Sequence, residues 1–80
     1  MSWAFNVVAK DAKTAIEAAE KHHAENPTWF VPEAKDAVIA AIKTVPQNIG
    51  LIIEASGHKD NSTDGYGNCR IEIRTAKIVQ

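Results

Sequence analysis

The hydrophobic period of this chain changes twice, and no other feature constrains its fold as strongly. From Trp3 to Val8 the side chains alternate, with Trp3, Phe5 and Val7 on one face and Ala4, Asn6 and Val8 on the other. A period of two with aromatic and β-branched residues predicts a strand over residues 2–9, its heavier Trp3 face toward the core. From Asp11 the apolar residues recur at helical spacing. From Leu51 onward the period returns to two. A chain patterned in this way must bury one face of a sheet against the stripes of its helices.

Two helices fit the middle. Asp11 is placed to cap the first. Ala12, Ala15, Ile16, Ala19 and His22 or His23 then form its stripe, while Lys13, Glu17, Glu20, Lys21 and Glu25 fall mostly on the solvent side. Glu17 and Lys21 are spaced as a favourable i,i+4 pair. Asn26-Pro27 ends this helix, because a residue before proline is pushed out of the helical region. Pro32 suits the first turn of a second helix, whose stripe reads Ala34, Ala37, Val38, Ala41, Ile42 and Val45. Trp29 and Phe30, in the connection, are expected to fill the end of a core that alanine-rich helices leave thin. Pro46 stops the second helix.

"LIIEAS" predicts a second strand with Leu51, Ile53 and Ala55 facing in. "NCRIEIRTAKIV" predicts a third, with Cys69, Ile71 and Ile73 in and Arg70, Glu72 and Arg74 out. The expected architecture is a single α+β domain over residues 1–80. It is a two-layer sandwich in the order β-α-α-β-β, a three-stranded antiparallel sheet with both helices on one face. The second and third strands should form a hairpin. The length and apolar content of the third favour placing the first strand beside it.

Composition narrows the class. With 45% apolar and 24% charged residues among 80, the chain can fold alone. The net charge of −1 comes from scattered residues, so no basic block marks a phosphate-tracking surface. The single cysteine, Cys69, excludes an internal disulfide framework. "MSWAFNVVAK" lacks the basic and long apolar regions of a signal peptide. No apolar run approaches the roughly 20 residues of a helical membrane span. A reducing, cytoplasmic setting without membrane contact is the expectation.

The most polar stretch, "GHKDNSTDGYGN" at residues 57–68, invites three readings. Asn61-Ser62-Thr63 is a glycosylation sequon, which a cytoplasmic setting makes idle. Asp60, Ser62, Asp64 and Gly65 fit the first half of a calcium loop. That motif, however, needs a bidentate carboxylate at its twelfth position, where Ile71 stands, with Glu72 one residue late. Asp, Asn, Ser and Gly are also ordinary turn residues. The stretch therefore reads as a hairpin loop, longer than the about two to five residues a hairpin needs. Its excess length marks His58, Lys59, Asp60, Asp64 and Tyr66 as candidate binding residues, with Tyr66 a candidate partner anchor.

Nothing in the sequence assembles a catalytic or metal set, so no cofactor and no enzymatic activity are expected. His22 and His23 are adjacent, roughly 100° apart around a helix, and read as surface or helix-end residues. With His58 and Cys69 they do not form a zinc pattern. Cys69, placed inward, behaves as a small hydrophobe, and a Cys69–His58 pair has no pocket to act in. The helix-free sheet face should carry Asn6, Val8, Ile52, Glu54, Arg70, Glu72 and Arg74. Its mixed charge and lack of aromatic residues argue against nucleic acid, and its Arg–Glu pairs suit a solvated face or a protein contact.

"MSW-F" at the start, "VP" at Val45-Pro46, "ASGH" at residues 55–58 and "GYGNCRIEI" at residues 65–73 together resemble a group of small, uncharacterised phage-encoded proteins of about this length. The resemblance implies an origin and a size class, and it carries no catalytic residue. It points to a non-enzymatic interaction protein that binds a host or viral protein in the host cytoplasm. The contact residues would be the loop set together with Arg70, Glu72 and Arg74. The alternatives are a virion component forming homo-oligomers and a nucleic-acid or ligand module using the open sheet face.

Overall fold

The computed structural model describes residues 2–58 and 69–76. The elements follow in the order β1 (Ser2–Ala9), α1 (Ala12–Glu25), α2 (Pro32–Ile42), β2 (Gly50–His58) and β3 (Arg70–Ala76). The strands form one antiparallel sheet in the order β1-β2-β3. This is the expected α+β arrangement, but β2 lies in the centre and β1 does not touch β3. β3 carries Arg70, Glu72 and Arg74, charges that suit an edge strand.

Alternation sorts the sheet into cross-strand rows. On the inner face lie Trp3–Gly57, Phe5–Ala55–Ile71, Val7–Ile53–Ile73 and Ala9–Leu51–Thr75. Trp3, Phe5, Ala9, Leu51, Ile53 and Ala55 are buried there, and Val7, Ile71 and Ile73 pack against them in part. Ala12, Ala15 and Ala19 of α1 and Ala34, Val38 and Ile42 of α2 close the same core from above. α1 packs on β1 and β2, and α2 on β3. The alanine stripe of α1 buries little area per residue but lets the helix sit close to β1.

Phe30 is fully buried and gathers the aromatic side chains. Trp3 meets it edge-on at 5.4 Å, Phe5 stacks on it at 5.6 Å, and His22 lies 4.8 Å away. Such offset and edge contacts add to the area buried. Phe30 thus fills the thin end of the core as anticipated. Trp29 does not: it remains 38% exposed and lies edge-on against His22.

The helix ends are set by side chains. The Asp11 carboxylate accepts the Thr14 N–H at 2.8 Å. At the other end of α1, Asn26 donates its backbone N–H to His22 and His23 and its Nδ2 to the His22 carbonyl. α2 stops at Ile42, before Pro46 compels it, because Gln47 Nε2 takes the Ile42 carbonyl at 3.1 Å and Thr44 Oγ1 takes that of Ala41 at 2.7 Å. The Gln47 carbonyl also accepts the Ala12 N–H, tying the end of α2 to the start of α1. Ala37, placed in the α2 stripe by its spacing, is exposed; the buried row is the i,i+4 line of Ala34, Val38 and Ile42. Cys69 is exposed, not inward, since the β2–β3 ladder begins at Arg70 and leaves it beyond the sheet. Gly57 belongs to β2 rather than to the loop.

Candidate interaction surface

The face of the sheet without helices presents three rows: Ala4–Ser56–Arg70, Asn6–Glu54–Glu72 and Val8–Ile52–Arg74. The middle row sets two carboxylates opposite one another, an unfavourable pairing by itself. Arginines on either side relieve it. Arg70 Nε donates to Glu72 Oε1 at 3.1 Å, and Arg74 Nη2 donates to Glu54 Oε1 at 3.4 Å. The hydrogen bond from Arg70 and its charge hold the Glu72 carboxyl below the ordinary carboxylate range. The same bond raises Arg70. All four side chains are well exposed, so water screens these pairs and they add little to stability. Their effect is to make this part of the face polar yet neutral. A shallow cleft of about 320 Å³ lies between them, lined by Asn6, Glu54, Ser56, Arg70 and Glu72.

The third row differs. Val8 is 68% exposed, the most exposed large apolar side chain among the described residues, and half-buried Ile52 lies beside it. Both were expected on this face, but the expected strand order would have kept them apart. With β2 in the centre they form one apolar corner, with Arg74 completing the row.

Arg70, Glu72 and Arg74 therefore stand together on the outer face, as their alternation requires. His58 ends β2 opposite Ser2. Its side chain, and Lys59, Asp60, Asp64 and Tyr66, lie outside the described residues, as do the calcium-loop and sequon positions. Among the described residues no group of three His, Cys, Asp or Glu side chains is placed to hold a metal ion. No described helix is long and apolar enough to cross a membrane.

The histidines of α1 hold positions that sequence reasoning did not assign them. His22 Nε2 donates to the Ala4 carbonyl at 3.0 Å, so Nε2 carries the proton, and Asn26 Nδ2 faces Nδ1 at 3.4 Å. His23 Nδ1 donates to the Phe30 carbonyl at 2.6 Å. Both are half-buried rather than surface residues. One tethers α1 to β1, and the other tethers it to the connection that carries Phe30. The available signal was the stripe itself, since His22 falls at helical spacing from Ala15 and Ala19.

Comparison of the chain with protein-family models, curated proteins and solved structures gives no match.

Proposed function

We propose that this is a small, non-enzymatic, phage-encoded interaction protein that binds a host or viral protein in the host cytoplasm. Its contact surface is the outer sheet face, with the Val8–Ile52 corner as its apolar part and Arg70, Glu72 and Arg74 along β3 as its charged part. One observation carries the reading: a β-branched side chain left 68% exposed next to a second apolar residue, on a face otherwise made neutral by its own ion pairs. Exposed apolar residues beside polar, arginine-bearing ones are a common make-up of a protein contact. Nucleic acid is the weaker match, because both arginines already face carboxylates and no aromatic residue stands on this face to stack a base.

The test is capture from a host lysate by immobilised wild-type chain, by Val8→Asp and by Lys43→Glu, a control at the end of α2. The expected result is a defined partner retained by wild type and Lys43→Glu and lost by Val8→Asp, with unchanged circular dichroism for all three. Equal capture by Val8→Asp overturns the reading, and so does capture of no protein by the wild-type chain.

A further inference from the structure

We infer that His22 is an edge guard, a side chain of α1 that keeps β1 from pairing with the β1 of a second copy. An open sheet edge presents unpaired N–H and C=O groups that recruit other strands, and proteins blunt such edges with charge, proline, bulges or a covering element. This sheet has two edges, β1 and β3. β3 reads "RIEIRTA" and carries three charged residues. β1 reads "SWAFNVVA", with no charged residue and no proline. Its composition of aromatic and β-branched residues is that of a segment prone to edge-to-edge association. Something other than sequence must protect it.

The geometry points to His22. In an antiparallel pair, successive residues turn their backbone groups alternately toward the partner and away from it. A carbonyl reached by a helix side chain is one turned away from the neighbouring strand. The His22–Ala4 bond therefore places the Ala4 carbonyl on the free side of β1, and alternation places the backbone groups of Asn6 and Val8 on that side too. The imidazole does not swing clear easily. Phe5, Phe30 and Trp29 surround it with ring centroids at 5.4, 4.8 and 5.4 Å, and Asn26 faces its other nitrogen. An added strand runs about 4.8 Å from its neighbour, through the space from which His22 reaches the Ala4 carbonyl. The groove along this edge, about 480 Å³ and lined by Ala4, Asn6, Val7, His22 and Trp29 among others, is thus blocked at one end. Asn6 and Val8 alone make a ladder shorter than ordinary strands sustain.

The experiment is sedimentation velocity from micromolar to millimolar protein, with circular dichroism as the check on folding. The wild-type chain should not pair through β1. His22→Leu keeps an apolar group among the rings but has no donor, whereas His22→Gln keeps an N–H. We expect concentration-dependent association for His22→Leu and for any folded His22→Ala, with His22→Gln remaining like wild type. Adding Val8→Pro to His22→Leu removes an outward N–H without touching the β1–β2 ladder, since proline is tolerated on the open side of an edge strand. It should abolish the association. A folded His22→Leu that sediments like wild type at every concentration overturns the inference. So does association that survives Val8→Pro, which would place the contact elsewhere.

Discussion

Gly57 stands opposite Trp3 in the first inner row, and a single missing carbon sets the packing there. A Cβ at Gly57 would lie 2.5 Å from Trp3 Nε1 and 2.7 Å from Cε2, closer than atoms can approach. The indole therefore lies flat over bare backbone and is only 2% exposed. Its N–H has no acceptor among the described residues, so burial has to outweigh the cost of an unpaired donor. Gly57→Ala should expel the ring. We expect it to cost about 1–3 kcal/mol, the usual effect of overfilling a packed core, read as a lower urea midpoint together with a red-shifted tryptophan emission. An unchanged midpoint would show that the ring has room to move. Nothing in "EASGH" announced this role. Glycine beside a polar loop reads as turn chemistry, and only the β1–β2 register reveals a tryptophan above it.

At the level of the element, α1 is the piece on which the rest depends, because it carries the alanine stripe, both histidine tethers and the clamp to Gln47. Its cap is legible at Asp11, and the hydrogen bond from Thr14 holds the Asp11 carboxyl below its ordinary range. A carboxyl with a depressed folded value contributes stability above its unfolded value and loses it as pH falls through the folded one. Asp11→Ala should therefore melt several degrees lower than wild type at neutral pH, and this gap should close below about pH 4. Asp11→Asn, a cap that does not titrate, should show no such pH dependence relative to Asp11→Ala. Thermal melts at a series of pH values check both expectations, and a gap that persists at low pH would mean that the charge on Asp11 is not what matters. The strands were legible as elements but not as neighbours. β1 appears at residues 2–9 from alternation alone, whereas its place beside β2 rests on backbone pairing, to which side-chain pattern is nearly blind.

Across the whole molecule the helices and the sheet share one buried cluster, with Phe30 touching Trp3, Phe5 and His22 at its centre. A single core should unfold as a single unit. Urea transitions followed by tryptophan emission, which samples the β1–Phe30 end, and by far-ultraviolet circular dichroism, which samples both helices, are expected to coincide. Separated curves would show that α2 and β3 come apart from the rest. The outer face has no part in this unit. Its Arg–Glu pairs are exposed and its Val8–Ile52 corner faces water, so substitutions there should alter binding long before they alter folding.

By itself, the sequence determined the element order, the class of fold, the face each strand buries and the cap of α1. These are local properties, set by periods of two or 3.6 residues and by the chemistry of single positions. Tertiary structure alone decided that β2 is central and that Val8 meets Ile52. It also decided that Gly57 lies under Trp3 and that His22 reaches the edge of β1. Each of these joins residues far apart in the chain through backbone register or a helix's position over the sheet. The physical reason is that a hydrophobic pattern specifies which face is buried, whereas the choice of neighbour depends on pairing and packing summed over the whole core.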